Sequence, residues 1–355
     1  MLYGRARSGP LSNFRLIIAR RPQSVIKPKM ETSKAIDIDN TETKDNTLKH
    51  MNEMKKGFTM KSFLDLTKFR LSQYNTLASY AMYLYYVPSF MAYDSLVFLT
   101  ATQLITMSSQ AYNQTVEGDY DSKMRRTQNR PVAKGLISKQ TGGLISATLA
   151  LSSMAVYMQL ANPSSLLVAN SIWIGYCLIY TPMKRYSVHN TIVGAVIGAL
   201  PPFIGTCAAV GSLFTPETML LAAYIFSWQY PHFYGILYEN RYDYKKAGYE
   251  MISNSDIDGV KATRHIKFSA ILALTTPLGM AYTGLMSAYF LPAYYVLYAQ
   301  NLKAVKEFSE NCNEQNAKKM KMKSYTPFFV LLAGIYSTII YNKVRNKSKK
   351  AELSS

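Results

Sequence analysis

Asn113, Glu117 and Asp121 follow one another at intervals of four residues, and Arg126 and Arg130 come after them, again four apart. At 3.6 residues per turn, the three oxygen-bearing side chains form one stripe along a helix end. Ionisable groups at the end of a membrane helix inside a bundle are functional candidates by default. Carboxylates beside arginines predict a Mg²⁺-bridged phosphate ligand, because Mg²⁺ is typically held by one or two carboxylates plus substrate phosphates. Arginines would grip the outer phosphate oxygens. A second cluster holds His232, Glu239 and Asp243, spaced by seven and four, with Lys246 close behind. A third is the run Tyr180-Thr-Pro-Met-Lys184-Arg185.

Something must carry these clusters to one place. The 355 residues contain 40 Lys+Arg against 21 Asp+Glu, a formal net charge of +19, yet only 17% are charged and 48% are hydrophobic. The basic residues leave five stretches free of Lys and Arg: 71–122, 140–183, 186–240, 268–302 and 324–342. A membrane-spanning helix needs about 20 apolar residues. Four stretches therefore fit hairpins, turning at Pro88–Asp94, Asn162–Ser165, Gly211–Glu217 and near Ser287–Leu291, and the fifth fits one span. The expectation is an all-α polytopic membrane protein of nine transmembrane helices. Basic loops share the face from which insertion occurs. All three polar clusters follow an even-numbered span, so topology alone brings them to that face.

The same charge could mark a nucleic-acid binder, but that needs a basic patch on a folded surface with groove-reading or stacking elements, and none is visible. No nucleic-acid partner is expected; membrane lipid is. Cys177, Cys207 and Cys312 have neither disulfide nor zinc spacing. Gly194, Gly198 and Gly205 permit close helix contact, and Pro201 and Pro202 should break their span. Residues 1–30 carry seven basic residues and no acid, as a mitochondrial transit segment does, the alternative being a disordered basic tail. Residues 31–57 read as a polar disordered linker. The transmembrane domain is expected over 58–342 and a basic tail over 343–355.

The runs Asn113-Gln-Thr-Val-Glu117-Gly-Asp-Tyr-Asp121-Ser-Lys-Met-Arg-Arg126-Thr-Gln-Asn-Arg130-Pro131, Tyr180-Thr-Pro-Met-Lys184-Arg185, His189-Asn-Thr-Ile-Val-Gly-Ala-Val-Ile-Gly-Ala-Leu-Pro-Pro202 and Trp228-Gln-Tyr-Pro-His232-Phe resemble, in order and spacing, the haem-farnesylating branch of the UbiA family of intramembrane prenyltransferases. The resemblance covers roughly residues 60–342. It implies an enzyme that moves the farnesyl group of farnesyl diphosphate to a vinyl group of haem B, giving haem O, in the mitochondrial inner membrane with the active face toward the matrix. It implies Mg²⁺ on Asn113, Glu117, Asp121 and Asp243, with Arg126, Arg130, Lys184, Arg185 and Lys246 on diphosphate or haem propionates. His232 then reads either as a haem contact or proton-transfer group, or as a structural hydrogen-bonding residue. Two departures stand out: Glu117 replaces the middle Asp of the quinone prenyltransferases' motif, and Tyr242 stands where related sequences commonly carry an acid. By geometry Glu239, one turn before Asp243, could supply the missing carboxylate. The alternatives are a prenyltransferase of a quinone-ring precursor and a non-catalytic haem-handling membrane protein.

Overall fold

Each helix starts and stops where local chemistry demands it. In the computed structural model, which describes residues 58–87, 93–160, 162 and 164–354, α1 (Met60–Leu66) opens on a reciprocal Thr59–Ser62 capping box. Lys68 then takes a left-handed backbone, φ 42°, the only non-glycine residue to do so among those described, and turns the chain into α2 (Phe69–Tyr86). The long α3 (Tyr93–Asp121) ends on the last acid of the stripe. Ser138 caps α4 (Lys139–Tyr157) by accepting from the Thr141 N–H.

The rod α5 (Ser164–Ile174) runs on through a π-helical turn, Gly175–Tyr180, into Thr181–Met183. α6 (Asn190–Gly198) and α7 (Pro201–Val210) form one rod interrupted where Pro201 and Pro202 withhold their N–H groups. Gly211, φ +69°, ends it. Thr215 caps α8 (Pro216–Glu239). Short helices α9 (Arg241–Ala247) and α10 (Ile252–Ser255) lead to α11 (Val260–Tyr282), α12 (Leu291–Glu310) and α13 (Glu314–Ser354).

Among the described residues there is no strand, and nine rods reach 18 residues or more, about 27 Å at 1.5 Å per residue. Three are both long and apolar enough to cross a bilayer: Ser164–Met183, Asn190–Val210 and Glu314–Lys349. The expected turns Asn162–Ser165, Gly211–Glu217 and Ser287–Leu291 fall at the boundaries between rods, while most of Pro88–Asp94 lies outside the described residues. The fifth apolar stretch differs from expectation, because its helix starts at Glu314, ten residues before the apolar run. Lysine is a good helix former, so the basic block that reads as a loop extends the rod instead. The readings of residues 1–57 lie outside the described residues.

Small residues let the rods approach closely. A Cβ on Gly205 would collide with the Ser79 carbonyl oxygen and sit 2.8 Å from the Tyr83 nitrogen, so α7 lies directly against the α2 backbone. Gly194 and Gly198 instead make room for the Tyr180 and Gln229 side chains. Between α3 and α4, Ser108 and Ser146 exchange hydrogen bonds to each other's carbonyls at 2.8 and 2.9 Å, and Ser153 donates to Ala101 at 2.7 Å. These rods enclose a chamber of about 270 Å³. Gln110, Tyr176 and Tyr180 line it at one end, Ile105 and Ile204 line its apolar part, and half-exposed Tyr74 and Phe329 border its side.

Candidate functional site

The first and third polar clusters meet, and of the second Asp243 joins them. Asn113, Glu117 and Asp121 lie on one face of α3 and are 1%, 3% and 2% exposed, so their oxygens are withdrawn from bulk water. Burial of carboxylates is costly unless each is paired. Arg130 donates to Asp121 at 2.7 Å, Lys184 to Glu117 at 2.7 Å and Lys68 to the Asn113 oxygen at 3.1 Å. Across the site, Asp243 accepts from the Arg125 backbone N–H at 2.9 Å and its Nε at 3.3 Å. Arg125 and Arg130 belong to the segment that follows α3 directly, so the partners of Asp243 and Asp121 stand five positions apart in the chain.

Loops lock this arrangement. Arg126 donates to the Tyr244 hydroxyl at 3.0 Å, and the Tyr120 and Tyr249 rings pack 5.0 Å apart. The Glu250 N–H donates to the Lys184 carbonyl at 2.8 Å, and Asn190 donates to the Glu250 carbonyl at 2.8 Å. Arg185 donates to the Val116 carbonyl at 3.1 Å and lies over the Tyr120 ring. Burial works against the Lys184 ammonium, but Glu117 together with Tyr180, Tyr176 and Tyr249 offsets it and holds its pKa well above the ordinary lysine value. Lys68 goes the other way: burial, then the Arg130 charge, push it well below. Six basic side chains thus face three carboxylates, so the site keeps a positive excess for a polyanion even without counting the destabilised Lys68 ammonium.

The site opens into the chamber. Gln110 lines the chamber and accepts from Lys68 at 3.0 Å; Tyr180 lines it and lies 4.6 Å beneath the Lys184 ammonium. The π-helical turn contributes here. Thr181 donates to the Tyr176 carbonyl at 2.9 Å and accepts from the Asn113 Nδ2 at 3.3 Å, which leaves the Asn113 oxygen toward Lys68.

His232 sits in the chamber wall, 8% exposed, beside Trp228 and Tyr325. Lys246 is exposed on α9 and makes none of the contacts resolved among the described residues. Tyr242 is 68% exposed, and Glu239 is paired with Lys321 of α13. Sequence reasoning missed Lys68 and Arg125. Lys68 lies with Lys61 and Arg70 in the basic block before the first apolar stretch, without any spacing to the stripe, and Arg125 reads as one more basic loop residue. His265 accepts from or donates to the Tyr234 hydroxyl at 2.6 Å, away from these groups, and His189 precedes α6 exposed.

The model of the UbiA prenyltransferase family matches residues 74–343. The chain belongs to the UbiA family. Among UbiA relatives, it is 34% identical over 270 residues to the mitochondrial protoheme IX farnesyltransferase of Yarrowia lipolytica, covering 75% of this chain and 56% of that protein. The human mitochondrial protoheme IX farnesyltransferase is 36% identical over 180 residues, 50% of this chain and 40% of its own. The protoheme IX farnesyltransferase of Solibacter usitatus is 33% identical, with 65% and 82% covered. The chain spans about half the length of the mitochondrial relatives it matches. Among solved structures, that of a digeranylgeranylglyceryl phosphate synthase superposes with a TM-score of 0.65 at 15% identity, over 79% of this chain and 99% of the other. A UbiA homologue from Archaeoglobus fulgidus, solved with GPP and Mg²⁺, gives 0.54 at 15% identity, over 78% and 99%. These likenesses establish the UbiA fold.

Proposed function

We propose that this UbiA protein transfers the farnesyl group of farnesyl diphosphate to a vinyl group of haem B, making haem O. The observation that carries the reading is the junction of a cation-rich polar mouth with an apolar chamber, through Gln110 and Tyr180, which belong to both. The names of its relatives supply the acceptor. Diphosphate departs from an allylic carbon only if its growing charge is neutralised where water is scarce. Lys68, Lys184, Arg126, Arg130 and Arg185 surround the place where that charge would appear, and the chamber beyond offers the chain a dry wall. Lys246, exposed on α9, would reach the diphosphate or a propionate only at the outer rim.

The donor set suits Mg²⁺. Among the described residues no cluster of three His, Cys, Asp or Glu side chains comes together. A hard cation that takes one or two carboxylates and completes its shell with phosphate oxygens requires none. Glu117 and Asp121, with the Asn113 oxygen, would hold such an ion, and Asp243 would serve a second position. When bound, Mg²⁺ would neutralise the leaving diphosphate. Because the protein's own cations already pair with these acids, the acids would hold the metal only on releasing those ammonium and guanidinium groups, which would then be free to bind phosphate.

The basic loops, the Arg-rich start and the mitochondrial relatives together support placement in the mitochondrial inner membrane, all nine rods spanning it and the polar mouth facing the matrix. Residues 58–342 form the transferase domain in this reading. Purified protein given farnesyl diphosphate, Mg²⁺ and either haem B or an aromatic acid tests it. Farnesylated haem, absent with Asp121→Asn, is the expected product. Prenylation of the aromatic acid alone would point to a quinone-ring acceptor, and no product with either would leave a haem-handling protein.

A further inference from the structure

His232 is held more firmly than packing requires. Its ring lies between Trp228, nearly parallel at 4.8 Å and 16°, and Tyr325, edge-on at 4.7 Å and 72°. Trp228 is itself fixed, donating from Nε1 to the Ser324 carbonyl at 2.8 Å. The His232 Nδ1 lies 3.3 Å from the Ser324 hydroxyl. That hydroxyl has already committed its proton, donating to the Lys321 carbonyl at 2.6 Å. A hydroxyl has one proton to give. Ser324 therefore accepts from His232, the proton resides on Nδ1, and Nε2 carries the free lone pair.

No hydrogen bond to Nε2 is made among the described residues, and the His232 side chain lines the chamber. An imidazole whose far nitrogen donates to a fixed acceptor, leaving the near nitrogen unprotonated, has the arrangement of a metal-binding histidine. Imidazole is a fitting donor for iron, including haem iron. A macrocycle on this nitrogen would stand across the imidazole plane: Tyr325, inclined at 72° to that plane, can lay its face along it, while Trp228 and Phe328 stack along the imidazole and brace it. We propose that His232 Nε2 ligates the iron of the haem acceptor, with Ser324 as the positioning residue that sets its tautomer. This rests on haem B being the acceptor.

The test is spectroscopic. Full-length protein loaded with ferric haem B should show the absorption and electron paramagnetic resonance spectra of a histidine-ligated iron. His232→Ala should lose them, and added imidazole should restore them. His232→Met keeps a ligand in place and should give a thioether spectrum in the ferrous state, which answers the question even if the alanine variant folds poorly. Ser324→Ala should weaken haem affinity about 10-fold while retaining the imidazole spectrum. Identical spectra for wild type, His232→Ala and His232→Met overturn the proposal. So does a wild-type protein that farnesylates haem B without any nitrogen-ligated iron, a result that leaves the transferase reading standing. Loss of farnesyl transfer to haem B in the wild type overturns that reading itself.

Discussion

Two ion pairs in this protein have the same length and very different surroundings. Lys184–Glu117 spans 2.7 Å with side chains 13% and 4% exposed; Lys139–Asp119 spans 2.6 Å at 53% and 72%. Distance alone predicts equal worth. Dielectric screening predicts otherwise: removing one partner of a buried pair leaves a stranded charge and costs about 3–5 kcal/mol, whereas an exposed pair contributes about 0–1 kcal/mol. Lys184→Met should therefore lower the folding equilibrium constant by roughly 10²–10³-fold at the least, since about 1.4 kcal/mol is tenfold. Lys139→Met should barely move it. Replacing both members of the buried pair, Glu117→Leu with Lys184→Met, removes the stranded charge and should recover most of the loss. On the function proposed above, that double variant should nevertheless stay inactive, because an electrostatic donor aimed at developing charge is worth about 10²–10³-fold in rate and a proposed metal ligand is gone as well. Denaturant unfolding in detergent micelles and farnesyl transfer are the two measurements. Equal destabilisation by Lys184→Met and Lys139→Met, or a double variant weaker than either single, would refute the reasoning.

Three further outcomes are expected. Gly205→Ala should destabilise by about 1–3 kcal/mol by forcing α7 off α2, whereas Gly143→Ala, where a Cβ meets nothing within 4 Å, should gain up to about 1 kcal/mol; thermal unfolding compares them. Glu239→Gln should lose the Lys321 pair and some stability yet leave the half-saturating Mg²⁺ concentration unchanged, while Tyr242→Asp should lower that concentration. Burial pushes the Cys312 thiol up from 9.0 to about 11, so at pH 8 its thiolate is about 100-fold scarcer than in an unperturbed thiol. Alkylation of Cys312, followed by mass spectrometry, should be slow at pH 8 and accelerate only as the pH climbs toward 11.

The stripe Asn113, Glu117, Asp121 was legible because a helix converts spacing into a face, and the burial of all three follows from their position on a rod packed on several sides. The hairpin turns were legible because Pro, Gly and Asn interrupt apolar runs. Rod lengths were not. Hydropathy sees where apolar residues end, but lysines such as Lys318 and Lys319 continue α13 upstream of its apolar run, since they sustain a helix while facing water. Lys68 and Arg125 were hidden for another reason. Their partners lie 45 and 118 residues away, and nothing local distinguishes a lysine that reaches into a cleft from one that marks a membrane boundary. Glu239 shows the reverse: helical register placed it near Asp243, but the opposing Lys321 on a different rod claims it.

The wide turn at Gly175–Tyr180 has an outcome for how such a site can change. It holds one residue more than a regular turn would, and that surplus frees the Tyr176 carbonyl for Thr181, whose hydroxyl in turn faces the Asn113 amide. Which end of the Asn113 amide looks toward the cations is thus set by chain length on a neighbouring rod as well as by the Thr181 hydroxyl. A shortening by one position there would heal the helix, keep every side chain of the stripe, and let the amide spin. Scanning by substitution would pass over this control; a single-residue deletion would find it.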